Sequence, residues 1–289
     1  VNSIDLLKIK IPLLSKKIQD KVSIKIKPIE KEIHTLKNQI KDLKEVIDKE
    51  FADVFNFDLT KADKAKNEII HIANFTDIAN DEMKFDISLK YRYIFNKFIK
   101  RFEKTEWIVL DKIVTVKGGK RLPKGQDVTE NETDYKYIRV DDLDWDGDFD
   151  IDNVKYISEE NQKKIKNYTA NENDILLTIV GATVGKCGLM PKDLDGYNIT
   201  ENFARLIIKN KKEYLPEYLL FCLMSKTSIF QIDEYIGRGS QGKLAIFRIK
   251  KIKIPVLDIN EQKKLIKSIK NEFDAQNLIT KKIIKERKK

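Results

Sequence analysis

The sequence predicts an α+β protein: a mixed α/β domain flanked by two long helices that form an antiparallel coiled coil. Three observations carry that reading. Leu7-Lys8-Ile9-Lys10-Ile11-Pro12-Leu13-Leu14 resembles Ile249-Lys250-Lys251-Ile252-Lys253-Ile254-Pro255-Val256-Leu257, and each proline is followed seven residues later by glutamine, Gln19 and Gln262. Ile29, Ile33, Leu36, Ile40, Leu43 and Ile47 are spaced 4, 3, 4, 3, 4, a seam too narrow to be buried without a partner helix. Between the two copies lie β-rich runs separated by glycine turns.

Taken in order, residues 1–14 read as a short strand that Pro12 ends. Residues 15–50 read as one helix. Ser15 is its cap, and Ile18, Val22 and Ile26 extend the seam backwards. Pro28 either kinks this helix or marks a restart. Residues 51–105 form a connection. Its apolar cluster Phe51, Val54, Phe55, Phe57 and Leu59 requires burial, Phe85–Leu89 alternates like a strand, and Tyr91 to Phe102 reads as a short basic and aromatic helix. Residues 106–258 form the mixed domain. Its strands are expected at Trp107–Leu110, Ile113–Val116, Tyr137–Val140, Asp174–Val180 and Ala204–Ile208, and its helices at Glu159–Lys166 and Pro216–Ser225, with Pro216 as first helical residue. A strand from Ile249 to Pro255 leads into the helix 259–289, capped by Asp258 or Asn260 with Glu261 in its first turn. A whole domain separates the two long helices, so their pairing is expected to be antiparallel.

Composition narrows the class. The 289 residues are 41% hydrophobic and 35% charged, enough for a core plus solvated helices. No run approaches the roughly 18–20 apolar residues of a membrane span, and no secretory layout opens the chain. It starts at Val1, which leaves room for a removed targeting segment. Only two cysteines occur, Cys187 and Cys222; this excludes a disulfide scaffold and a paired-cysteine zinc site and makes the cytoplasm the expected compartment. The formal charge is +10, and residues 231–289 hold 16 Lys or Arg against 7 Asp or Glu. Basic charge concentrated in one part of a chain fits a polyanionic partner; a lysine-rich composition and helix solvation account for the same charge.

Motifs that suggest chemistry fail on spacing. Gly181-Ala182-Thr183-Val184-Gly185-Lys186-Cys187 has three residues between its glycines where a phosphate loop has four, and Cys187 replaces the hydroxyl that reaches magnesium. Asp142-Leu143-Asp144-Trp145-Asp146-Gly147-Asp148 opens like a calcium loop, but Asn153 stands where a bidentate Glu is needed. An acidic β-turn is the better reading. The six prolines are isolated, so the Asn/Asp-Pro-Pro-aromatic loop of adenine methyltransferases is absent. Pro216-Glu217 with Glu261-x-Lys263 is too loose for a metal nuclease, and His34 and His71 have no companion at ligand or triad spacing. No catalytic residue, metal site or cofactor is expected.

What remains is a set of polar loops. Lys117-Gly118-Gly119-Lys120-Arg121 reads as a flexible basic turn whose backbone N–H groups suit phosphate. Gly237-Arg238-Gly239-Ser240-Gln241-Gly242-Lys243 is a second, in which Arg238 and Gln241 suit base edges. Arg139 and Asn198 are further candidates, and the turn after Val180 is expected to expose Thr178, Thr183 and Lys186. The expected DNA-contacting set is therefore Lys117, Gly119, Lys120, Arg121, Arg139, Thr178, Thr183, Lys186, Asn198, Arg238, Ser240, Gln241 and Lys243. For each loop, a solvated turn with basic ends is the plain alternative.

Four stretches in order carry a resemblance: Leu110 to Pro123, Tyr135 to Leu143, Glu172 to Leu189, and Gly239 to Gln262. Together they resemble the target-recognition domain of type I restriction–modification DNA specificity subunits, over residues 107–289. Residues 1–14 are similar to the terminal strand of a preceding recognition domain, 15–50 and 259–289 to the spacer helices, and 51–105 to a lead-in segment. The resemblance implies sequence-specific recognition of double-stranded DNA by a subunit that performs no chemistry. Its helices would set the spacing of a bipartite site and dock adenine methyltransferase and restriction/translocase subunits. One complete recognition domain fits the second half of a longer subunit, a half-subunit that forms a homodimer, or part of a fused methyltransferase/restriction enzyme. A coiled-coil adaptor with a basic face remains the alternative of another class.

Overall fold

Two spatial units divide the chain: Val1–Lys41 with Glu272–Lys289, and Asp42–Asn271. The computed structural model describes residues 14–67, 94, 97, 105–236 and 242–286. The strand expected before Leu14, the strand Phe85–Leu89 and, apart from Ile94 and Lys97, the helix from Tyr91 to Phe102 lie outside them.

The smaller unit holds α1 (Lys16–Lys37) and the last part of the C-terminal helix, which runs from Ile259 to Glu286. Leu36, Gln276 and Ile283 are buried. Lys282 pairs with Glu32 at 3.3 Å, and the Lys41 N–H donates to Gln276 Oε1 at 3.1 Å. Residue numbers rise on one helix as they fall on the other, which makes the pair antiparallel. Ile29 and Ile33 are half-buried along this seam. Its expected extension is not buried: Ile18, Val22 and Ile26 are 46%, 41% and 43% exposed. Helix α1 passes through Pro28 without interruption, at the loss of one backbone hydrogen bond.

The helix expected over 15–50 is two helices. Helix α1 stops at Lys37, and α2 (Leu43–Phe55) starts anew because Asp42 Oδ1 accepts the Glu45 N–H at 2.7 Å. The apolar spacing continues across the break, yet Leu43, Val46 and Ile47 are buried in the larger unit. One sequence seam thus serves two packings.

In the larger unit, Asn56 takes a left-handed conformation (φ 57°) and turns the chain into α3 (Leu59–Asn67). Phe51, Phe55 and Phe57 are buried as the sequence requires, while Val54 is 49% exposed. Phe57 stacks on Phe55 and on Trp107, with centroids 5.2 and 5.7 Å apart. Trp107 opens β1 (Trp107–Val109); one helical turn, α4 (Leu110–Ile113), leads from it into β2 (Val114–Gly118). Then follow β3 (Lys136–Ile138), β4 (Lys155–Tyr156), α5 (Glu159–Ile165), β5 (Ile175–Thr178), β6 (Cys187–Leu189), β7 (Asn198–Ile199) and β8 (Phe203–Ile208). Strands β2-β8-β5-β6 form an antiparallel sheet; β4-β3-β7 form a second, with β3 and β7 parallel. Ile138 and Ile199 of one sheet and Leu176 and Phe203 of the other share one core with Met190, just past β6.

Helix α6 (Pro216–Met224) begins at Pro216, and every residue from Tyr218 to Met224 is buried. Helix α7 (Lys226–Tyr235) was not foreseen. The strand expected over 249–255 shrinks to β9 (Lys253–Pro255), which pairs antiparallel with β1. Residues Ile246–Ile249 form a helical turn instead, α8, in which the Ala245 carbonyl accepts the Arg248 N–H at 2.9 Å. The C-terminal helix is α9; Asp258 Oδ1 caps it, accepting N–H from Asn260 and Glu261 at 2.8 and 2.9 Å.

Asp48 ties α2 to α7, its Oδ1 accepting the Lys226 N–H at 2.7 Å. Burial pushes its carboxyl up to about 6, although the N–H and the ammonium of Lys226 pull the other way. An acid raised in the fold costs nothing while protonated in both states, below the ordinary carboxylate range. The cost grows as pH rises and is complete above about 6. Asp48→Asn keeps the oxygen that caps α7 and carries no charge. Its stability relative to the parent is therefore expected to be near zero at pH 4 and to reach at most about 3 kcal/mol at pH 7.5, read from urea unfolding at both pH values.

Candidate nucleic-acid interface

Strand β2 runs into the turn Gly118-Gly119-Lys120-Arg121, which lies on the backbone of residues 199–203. The Gly119 N–H donates to the Phe203 carbonyl at 3.2 Å and the Lys120 N–H to the Ile199 carbonyl at 3.0 Å. A Cβ on Gly119 would stand 2.0 Å from the Thr200 carbonyl oxygen. The expectation of a flexible turn with free N–H groups is thus corrected. Both donors are used inside the fold, and the second glycine is there because two backbones touch. What the end of β2 and the turn present outward is side chains: Lys117, Lys120 and Arg121 are exposed. The Tyr137 hydroxyl donates to the Lys120 carbonyl at 2.8 Å, and the Lys120 ammonium lies 5.6 Å from the centre of the Tyr168 ring.

Beside the turn opens a cleft of about 580 Å³ lined in part by Arg121, Lys124, Arg139, Asp141, Glu201 and Asn202. Arg121 Nε donates to Glu201 Oε1, and the Thr200 hydroxyl donates to the other carboxylate oxygen at 2.9 Å. Burial alone would raise the Glu201 carboxyl; the bonds from Arg121, its own N–H and Thr200 outweigh it and hold the group below its ordinary value. Arg139 is half-buried. It donates from its backbone N–H and one terminal nitrogen to Asp142 at 2.7 and 3.0 Å, while its buried Nε has no partner.

A second group joins the same segment. The Ile179 N–H donates to the Asn202 carbonyl at 2.8 Å, Gly181 N–H to Gly242 at 3.1 Å, and Leu244 N–H to Ile179 at 2.9 Å. These bonds bring exposed Lys243 against Val180; Thr183, in the turn that follows Val180, is half-buried. Arg238, Ser240 and Gln241 lie outside the described residues.

Three expected contacts are corrected. Thr178, Lys186 and Asn198 are buried. Lys186 donates its ammonium to the Val140 and Leu143 carbonyls, and desolvation lowers its pKa. Asn198 Nδ2 donates to the Ile165 carbonyl at 2.8 Å. The Lys186 and Asn198 side chains hold loops together from inside, and Thr178 Oγ1 is buried without a hydrogen-bond partner, so none of the three is open to a ligand. The acidic stretch closes on itself as a turn, with Asp144 Oδ1 accepting N–H from Asp146 and Asp148 at 2.9 Å each. Among the described residues, no group of three or more His, Cys, Asp or Glu could hold a metal, and no helix is long and apolar enough to cross a membrane.

The family model of the type I restriction modification DNA specificity domain matches residues 102–288. The chain belongs to this family. The type I restriction enzyme EcoBI specificity subunit of Escherichia coli is 30% identical over 152 residues, 50% of this chain and 30% of that one. A chain from work on complex assembly and conformational transition of the type I R-M system aligns with a TM-score of 0.52 at 11% identity, covering 100% of this chain and 60% of that one. The S subunit of the type I system of M. genitalium aligns with a TM-score of 0.49 at 16% identity, covering 99% and 62%. The chain therefore spans less than two thirds of the length of each of these relatives.

Within this specificity domain, sequence reasoning missed Lys124, Glu201 and Asn202. The last two belong to a polar triplet, Thr200-Glu201-Asn202, set between apolar Ile199 of β7 and Phe203 of β8. That interruption was the available signal.

Proposed function

We propose that the larger unit recognises double-stranded DNA by sequence, and that the chain acts as all or part of a type I specificity subunit. In this reading it performs no chemistry and directs adenine methyltransferase and restriction subunits to a bipartite site. The paired helices of the smaller unit act as spacer and docking arm. One observation carries the reading: the end of β2 and the rigidly seated turn after it present Lys117, Lys120 and Arg121 beside a cleft holding both donors and acceptors. Lysines on an exposed edge suit phosphates, and mixed polar groups in a concave surface suit base edges. Family membership supports it independently.

Lys117→Ala and Lys120→Ala are expected to weaken binding to all duplex sequences alike. Each should reduce the slope of log affinity against log salt by about 0.9. Fluorescence anisotropy with a random-sequence duplex at several salt concentrations measures both quantities. Binding to duplex DNA that neither substitution alters would reject the interface.

A further inference from the structure

We propose that Arg121 is a guanine-reading side chain and that Glu201 is the residue that positions it. The inference rests on the DNA-recognition reading above and assigns one base contact within it.

The described arginines of the larger unit differ in how much of the guanidinium the fold consumes. Arg205 is 14% exposed in its side chain and engages all three nitrogens: Nε with Asp174, one terminal nitrogen with the Thr169 carbonyl, the other with Asn171 Oδ1 at 2.7 Å. Arg139 gives a terminal nitrogen to Asp142, and Arg248 gives one to the Tyr235 carbonyl. Arg121 is 80% exposed and is held through Nε, by Glu201. Its two terminal nitrogens, four N–H bonds in one plane, are left for a ligand. Guanine offers two acceptors, O6 and N7, on its major-groove edge, and a guanidinium fork matches both at once.

The support behind Arg121 is built in two layers. Glu201 holds Nε, and the Thr200 hydroxyl holds Glu201 at 2.9 Å. The backbone on either side of Thr200 and Glu201 also accepts the N–H groups of Gly119 and Lys120. The start of the Arg121 side chain and the carboxylate that aims it are thus fixed to one segment. A fork fixed before binding loses less conformational freedom on contact. The carboxylate also argues against a phosphate role. It offsets the Arg121 charge and repels a polyanion, so at a purely backbone-binding position it would only weaken affinity.

The test uses the full chain and a random duplex library. Selected duplexes and their single-base variants are titrated by anisotropy, with thermal melts of every variant. The parent chain is expected to select a guanine whose replacement weakens binding tenfold or more. Arg121→Lys keeps the charge and loses the fork; it should abolish that preference and leave the salt slope unchanged. Glu201→Ala should lose the preference at the same base pair while binding random duplex at least as tightly as the parent. Glu201→Gln, which still accepts the Nε–H, should retain most of it. The double variant Arg121→Lys/Glu201→Ala should discriminate no worse than Arg121→Lys alone. A guanine preference that survives Arg121→Lys, or a loss spread evenly over all sequences, overturns the proposal and leaves DNA recognition standing. Failure of the parent chain to enrich any sequence overturns both. If Glu201→Ala melts early, Arg121→Lys and Glu201→Gln decide, because both keep the packing.

Discussion

Gly119→Ala is expected to destabilise the fold by about 3 kcal/mol or more, and Gly118→Ala, one residue earlier, by less than about 1 kcal/mol. The contrast comes from what each new methyl group meets. At Gly118 it finds Ile246 Cδ1 at 3.6 Å, an ordinary contact with a mobile side-chain end. At Gly119 it meets three backbone atoms, the nearest being the Thr200 carbonyl oxygen at 2.0 Å. That carbonyl cannot retreat freely, because it accepts the Phe203 N–H at 3.1 Å while the Thr200 N–H donates to Ile138 at 3.0 Å. Relief requires breaking the bonds that seat Lys120 and Arg121. Urea unfolding of the two variants decides the matter. Equal midpoints would mean that the turn does not rest on residues 199–203. DNA binding by whatever folded Gly119→Ala remains should fall as well.

The second large effect concerns Arg205 and Asp174, whose side chains are 14% and 5% exposed. Arg205→Met is expected to cost about 3–5 kcal/mol, since it leaves the Asp174 carboxylate desolvated and short of a counter-charge. Asp174 also accepts the Asn171 N–H at 2.7 Å, a bond that asparagine keeps through its side-chain oxygen. Adding Asp174→Asn to Arg205→Met should therefore recover a good part of the loss, a non-additivity that reports the pair itself. Unfolding free energies of the two single variants and the double variant measure it. Additive losses would mean that the two groups act separately.

The difference between Arg205 and Arg121 also shows what could be read from the chain alone. Short β-rich runs bounded by glycine turns located the strands at 107, 114, 137, 175 and 204, because residue preference over a few positions is a local property. Proline at the first position of α6 and Asp258 before α9 were legible for the same reason. The break between α1 and α2 was not: the heptad spacing runs through it, and only the Asp42 cap, a weak signal inside a long periodic run, marks it. Helix α8 was missed because Ile249 also begins the apolar–basic alternation that ends at Pro255.

Local order alone determined that this chain is a mixed α/β domain with helical flanks, and that a Gly-Gly turn with basic neighbours sits at the end of a strand. Which polar residues face outward was decided only when distant segments met. Lys186 and Lys120 share one chemistry, yet Lys186 bonds carbonyls more than forty residues earlier and is buried, while Lys120 stays exposed. Arg121 acquires its direction from Glu201, eighty residues away. Burial and orientation depend on such long-range contacts, and no spacing along the chain encodes them.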